Sequence, residues 1–339
     1  MPGASWWVGR LERAASRGAV GRLAAGGEPV LQETPFDLAS LTKPLATAPL
    51  LALLEQEGTL DLEAPLDSYL PGTRGSPLGR RTLLALATHT AGLPPWAPLY
   101  LRSRSLDGYV AEIAGRPPAV APGRTLYSDL GYILLGAVLE RAAHKGLDEL
   151  FLDRVAGPLG LARVGFATAT RRFPDAAATE RGNHYERALA GEAGATHAWR
   201  ADIAHGEAHD GNAHGLGGVA GHAGLFGTAA EVARIGCELL RPGPLGLGER
   251  ACARLLRVAP PSDGRTVGLV LAAWSRAGRG VLPDEAPGHT GFTGTSLWLD
   301  PSAGGCYVLL TNRVHPRVPE RDFQALRRAF HRLAGAVLR

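Results

Sequence analysis

Ser40 and Lys43 stand three residues apart in Phe36-Asp37-Leu38-Ala39-Ser40-Leu41-Thr42-Lys43. On a helix, positions i and i+3 share a face, so the Lys43 amine can reach the Ser40 hydroxyl. Lys43 and Lys145 are the only lysines among 36 Lys and Arg residues. Arginine keeps its proton near neutral pH, whereas a buried lysine beside another cation can lose it. A lysine kept at this spacing therefore suits proton removal from a nucleophilic serine. Alone, the tetrapeptide fits equally well with a lysine on a surface helix.

Two later segments supply the remaining parts of a serine acyl-transfer site. Tyr127-Ser128-Asp129 precedes an apolar helical run, 87 positions after Ser40 (127 − 40). His289-Thr290-Gly291 opens an apparent strand, 162 positions after Tyr127 (289 − 127). Between and around them stand Thr88-His89-Thr90-Ala91-Gly92-Leu93, Pro122-Gly123 and Phe292-Thr293-Gly294. In this order the set resembles the penicillin-binding protein and class C β-lactamase group of serine hydrolases, which includes D-peptidases and β-lactamase-like esterases. The resemblance runs from about Val20 to Leu338.

The resemblance implies a role for each residue. Ser40 is the nucleophile and carries the acyl-enzyme, which divides one difficult hydrolysis into two easier steps. Lys43 takes or relays its proton, with a pKa lowered by burial near other cations. Tyr127 is the second proton-transfer group, and the choice of base between Lys43 and Tyr127 stays open. The backbone N–H groups of Ser40 and Phe292 hold the oxyanion. Thr290 and Gly291 lie on the strand edge along which substrate approaches.

Two positions depart from the lactamase pattern. Asp129 stands where an asparagine is usual; an ionised carboxylate donates no hydrogen bond, raises the Lys43 pKa and repels a substrate carboxylate. His289 stands where true lactamases have lysine, so a permanent cation is lost, although a charged histidine would partly replace it. These changes favour a carboxylic ester as substrate, with a D-amino-acid peptide (a DD-carboxypeptidase activity) or a β-lactam as alternatives. A non-catalytic penicillin-binding or sensing module is the competing class, and the intact Ser40, Lys43, Tyr127 and Gly291 argue against it.

The Gly/His-rich stretch from His205 to Phe226 lacks the His-Glu-x-x-His order of a zinc helix. His209, Asp210, His214 and His222 are conceivable ligands, but an ordered loop beside the cleft is the simpler reading, and neither metal nor cofactor is expected. His222 is read as structural or as touching substrate. Trp96, with Tyr100 and Trp199, is a candidate for an acyl pocket or for ordinary packing. His89 is read as ordering the loop ahead of Leu93-Pro94-Pro95-Trp96.

The elements that must position these groups read as an α/β (α+β) fold of the β-lactamase/transpeptidase type. An antiparallel sheet flanked by helices joins both ends of the chain, with an all-helical region inserted. The 339 residues are taken as one unit, with an α/β part over about 1–60 and 260–339 and a mainly helical part with active-site loops over about 61–259. Expected helices cover Trp6–Ser16, Ser40–Glu57, Arg81–Thr88, Leu106–Ala114, Leu130–Ala143, Leu147–Val155, Ala229–Leu240 and Pro319–Leu338. A hairpin is expected from Ala19–Ala24 to Val30–Glu33 through Gly26-Gly27. Strands are expected over Val267–Ala273, His289–Phe292, Thr295–Leu299 and Tyr307–Thr311.

Net charge is +4, and acids interleave the arginines, which argues against nucleic acid as a partner. No 18-residue apolar run marks a membrane span, and no basic region followed by an apolar stretch marks a signal peptide. Three cysteines without metal spacing suit a reducing compartment. A cytoplasmic enzyme acting on a small ester, amide or β-lactam is expected; oligomeric state is not indicated.

Overall fold

A computed structural model describes every residue except Met1, Glu12, Arg321 and Arg339. The chain opens with β1 (Gly3–Arg10) and β2 (Arg13–Gly21), an antiparallel hairpin where Trp6–Ser16 was expected to be helical. Local helix propensity loses here to pairing on both sides, because β1 also pairs with the last strand. Trp6 sits opposite Gly18 and covers it so closely that a Cβ there would come within 2.3 Å of the ring. The expected Gly26-Gly27 hairpin is reduced to one bridge, Arg22 to Pro29.

Next come β3 (Phe36–Asp37), a short 3-10 turn carrying Ser40, a wider turn over Lys43–Thr47 and α1 (Ala48–Gln56). Residues Ala48 to Leu54 are all buried, as a helix apolar around its circumference must be. The chain continues through α2 (Leu83–Ala87), α3 (Leu106–Ala114), α4 (Asp129–Ala143) and α5 (Leu147–Phe151). Long irregular segments then hold β4 (Gly165–Phe166), α6 (His184–Ala190), α7 (Gly211–Gly215) and β5 (Leu225–Gly227). The inserted region is thus not all helical: its β4 and β5 pair with each other, and β5 with β3, in a second, three-stranded sheet.

After α8 (Ala229–Glu238) and α9 (Glu249–Leu256) the chain returns to the main sheet. The strands are β6 (Val270–Leu271), β7 (Pro287–Thr290), β8 (Ser296–Asp300) and β9 (Gly305–Thr311). α10 (Gln324–Leu338) closes the fold; it starts later than Pro319, and Arg321 lies outside the described residues. The main sheet is antiparallel with order β2-β1-β9-β8-β7-β6, so both ends of the chain meet in it.

Alternation along β8 and β9 builds two layers. Leu297, Leu299, Val308 and Leu310 join the core that also contains Val232 and Ile235 of α8. Trp298 and Tyr307 face the other way and pack with Ala334 and Leu338 of α10. Each fully buried side chain of this size contributes about 1.5–3 kcal/mol.

Candidate active site

Ser40 follows a strained residue. Ala39 has φ +48°, a left-handed conformation that a non-glycine residue adopts at a cost of about 1–3 kcal/mol. Four side chains hold it there. Asp37 Oδ1 accepts from the Ala39 N–H at 2.8 Å, and the Thr42 hydroxyl donates to the Ala39 carbonyl at 2.7 Å. Thr293 and Thr295 reach across from the loop after β7 and donate to the Asp37 and Leu38 carbonyls, at 2.7 and 3.0 Å. The strand-side motif therefore fixes the backbone of the serine motif.

Lys43 is fully buried and its Nζ donates three hydrogen bonds: to Ser40 Oγ (2.9 Å), Asp129 Oδ1 (2.7 Å) and the His222 carbonyl (3.1 Å). Three acceptors match the three protons of an ammonium. Burial alone would pull the Lys43 pKa down, but Asp129 and then Tyr127 outweigh it and hold it above its ordinary value. That corrects the expected lowering. The acid at position 129 accounts for the difference, as its charge predicts.

Tyr127 donates to Ser40 Oγ at 2.9 Å. Burial pushes its phenol up, against the opposing pull of Lys43, whose Nζ lies 5.1 Å from the ring centroid. The tyrosine enters from the turn before α4. His89, itself left-handed at φ +59°, accepts the Ser128 N–H at 3.1 Å and sets its ring 4.6 Å from that of Tyr127. Ser128 Oγ donates to the Pro94 carbonyl, and the Asp129 N–H donates to the Pro95 carbonyl.

On the opposite wall, β7 delivers His289 and Thr290, and Gly291 follows its end. A Cβ on Gly291 would come within 2.6 Å of the Leu38 carbonyl, so only glycine allows the strand this close to Ser40. His289 does not replace the lost cation. Burial, then Lys43 and Arg265, hold its imidazole well below the usual range, and it is neutral at neutral pH. Among the described residues, the backbone N–H groups of Ser40 and Phe292 have no acceptor in the protein.

The cleft these groups line measures about 650 Å³. Its other residues were not singled out from the sequence. Tyr185 of α6 lies against Phe292, with centroids 4.8 Å apart, and Trp274, 55% exposed, stands on the β6 side. Arg265 has its guanidinium 5.5 Å from the Tyr127 ring centroid and no carboxylate partner among the described residues; burial pulls its pKa down. It is aimed by a tight turn, with a bridge from Arg265 to Val270 and Gly268 at φ +92° against Pro44 and Ala48. Nothing in the sequence distinguishes Arg265 from the other arginines. Arg327 does leave a signal: it shares the inward α10 face with His331, Ala334 and Leu338, an odd place for a cation.

Trp96 and His222 do not line this cleft. Trp96 packs against the main core. His222 is 1% exposed and its ring is paired with Asp210 at 2.8 Å; only its carbonyl reaches the site, through Lys43. Tyr100 and Trp199 border a separate small cavity with His197. His209 pairs with Glu180 at 3.0 Å, which divides the histidine stretch into separate pairs. Among the described residues no three His, Cys, Asp or Glu side chains cluster as a metal site, and no helix is long and apolar enough to cross a membrane.

Residues 1–330 match the family model described as Beta-lactamase. A Salmonella typhimurium protein that carries the name of a D-alanyl-D-alanine carboxypeptidase is 31% identical over 318 residues, covering 84% of this chain and 71% of that protein. Among solved structures, SurE with D-Leu has a TM-score of 0.71 at 26% identity, over 98% of this chain and 71% of the other. The β-lactamase/D-alanine carboxypeptidase of Pseudomonas syringae has a TM-score of 0.74 at 19% identity, over 99% and 94% of the two chains, and shares the fold.

Proposed function

The chain belongs to the beta-lactamase family of serine hydrolases, and from that premise we propose that it removes a C-terminal residue from a small D-amino-acid peptide through an acyl-enzyme on Ser40. The observation that carries this reading is Arg265. A desolvated guanidinium with no carboxylate partner among the described residues, lining the same cleft as the nucleophile, suits a substrate carboxylate. It would supply the cation that His289 lacks, which supports a carboxylate-bearing substrate over the neutral ester expected from the sequence. The name of the Salmonella relative supports the same class.

In the proposed reaction Ser40 Oγ attacks the scissile carbonyl, and the Ser40 and Phe292 N–H groups receive the oxyanion. Lys43 remains an ammonium, and the ionised fraction of Tyr127 takes the serine proton. Tyr127 then passes that proton to the departing amine as the C–N bond breaks. Water attacks the acyl-enzyme with the same pair of groups, and Ser40 is restored. The rate should rise with pH into the alkaline range, because burial raises Tyr127 and the base is its deprotonated form.

A second reading, ester hydrolysis, draws on the aromatic walls: Tyr185, Trp274, Phe292 and Phe323 would accept an uncharged acyl group. Rates on an acyl-D-alanyl-D-alanine peptide, its C-terminal amide, p-nitrophenyl butyrate and nitrocefin separate the readings. The free-acid peptide should exceed the amide by about tenfold or more, the scale of one lost charge-assisted contact. Arg265→Met should erase that preference and spare the ester. Ser40→Ala and Lys43→Ala should abolish all turnover in folded protein. Equal rates on acid and amide, unchanged by Arg265→Met, would leave the ester reading.

A further inference from the structure

We propose that Arg327 is a positioning residue that strengthens the oxyanion donor at Phe292 by binding the opposite end of the same peptide group. The inference rests on the acyl-enzyme reading above.

Arg327 projects from the first turn of α10 into the interior and is 5% exposed. One of its terminal nitrogens, Nη2, donates to the Gly291 carbonyl at 2.5 Å and to the Thr295 carbonyl at 3.0 Å. No carboxylate among the described residues forms an ion pair with it. Its pKa is pulled down to about 10, by burial first and then by Arg313. Burying a cation against neutral carbonyls is costly. A neutral donor at the same place would satisfy the same carbonyls at lower cost, so hydrogen bonding alone does not account for the charge.

The covalent geometry does. The Gly291 carbonyl and the Phe292 N–H are two ends of one planar, conjugated amide. A cation at the oxygen draws electron density along that amide and makes the N–H a stronger donor. The Gly294 N–H also donates to the Gly291 oxygen, at 3.1 Å, so two donors fix the plane of the peptide. Arg313 Nε donates to the next carbonyl, that of Phe292, at 3.0 Å, so a second guanidinium anchors the far side. Among the described residues the Phe292 N–H has no internal acceptor, and Phe292 lines the Ser40 cleft. Arg327 lies at the edge of the cleft and acts on a developing oxyanion through one amide.

The test compares wild type with Arg327→Gln, Arg327→Met and Arg327→Lys. The readouts are kcat and KM on p-nitrophenyl butyrate, the Ki of phenylboronic acid, which forms a tetrahedral adduct on the serine, and the melting temperature. Arg327→Gln removes the charge and is two bonds shorter, so the melting temperature is read beside it to separate a lost anchor from a lost charge. This variant should lose about 10- to 100-fold in kcat, part of what deleting a whole donor costs, with KM within about twofold. Phenylboronic acid should weaken by the same factor. Arg327→Met should lose at least as much, and Arg327→Lys should recover most of it.

A folded Arg327→Gln protein with wild-type kcat and boronate affinity would overturn the inference, as would a Lys variant no better than Gln. Should Arg327→Met fail to fold, the Gln and Lys pair still decides. Boronate binding that survives Ser40→Ala would instead overturn the acyl-enzyme reading, so the two failures are distinct.

Discussion

Two donors converge on Ser40 Oγ, the Lys43 ammonium and the Tyr127 phenol, so its own proton has neither of them as acceptor in the resting arrangement. One group must ionise before attack, and Asp129 opposes this by raising both Lys43 and Tyr127. Asp129→Asn removes that influence, so the alkaline limb of kcat/KM should move to lower pH. It also removes a negative charge from the cleft. Turnover of a carboxylate-bearing peptide should therefore gain about fivefold or more over the neutral ester, on the scale of one charge pair near a protein surface. Both effects are read from pH profiles on the two substrates. An unmoved limb would mean that Asp129 does not govern the proton inventory. This residue was legible in the sequence because acid and amide differ in chemistry at a fixed motif position. Arg265 was not, because its relevance comes from a turn 24 residues before His289 (289 − 265) that only folding brings beside Tyr127.

Helices with strong apolar patterns were readable: α3 spans Leu106–Ala114 as expected, and α4 begins one residue earlier than predicted. β1 and β2 were not, because β9, the second partner of β1, lies some 300 residues away and its pairing overrides a locally helical composition. The contact of α4 with the segment before β5 was equally hidden. There, a Cβ on Gly221 would come within 2.2 Å of the Tyr132 carbonyl and 2.9 Å of the Gly136 N–H. This close approach carries the next residue, His222, to within 3.1 Å of Lys43, while Thr47 donates to the Gly221 carbonyl at 2.6 Å. Gly221→Ala should therefore force the segment away from α4. The expected cost is about 1–3 kcal/mol in urea unfolding, the usual price of overpacking. A fall in kcat should accompany it, since Lys43 loses an acceptor. Full activity in the destabilised protein would show that the His222 carbonyl does not position the amine.

Across the whole molecule, the irregular segments before β5 bury Glu180, Glu186 and His209 and half-bury Asp210, and His209 meets the buried Asp37 of β3. Glu186 is the least comfortable. Its pKa is pushed up to about 7 by burial and then by Asp210, against the relief given by His209 and the Gly211 N–H. Tyr100 and Arg200 face the same cluster. A carboxyl with a raised folded-state pKa costs nothing while both states are protonated, below about pH 4.5. Between about pH 4.5 and 7 the folded protein binds more protons than the unfolded chain, so stability falls as pH rises and levels off above that window. Glu186→Gln removes the ionisable group and keeps an acceptor for the Gly211 N–H, which bonds Glu186 Oε1 at 2.8 Å. The variant should be more stable than wild type at pH 8, by on the order of 1–3 kcal/mol, and no more stable at pH 4.5. Urea titrations at the two pH values measure the difference directly. An equal change at both would mean that packing, not the charge on Glu186, sets the effect. A loss at pH 8 would mean that the carboxylate is satisfied by the cluster, and that α6, which holds Tyr185 over the cleft, depends on its negative charge.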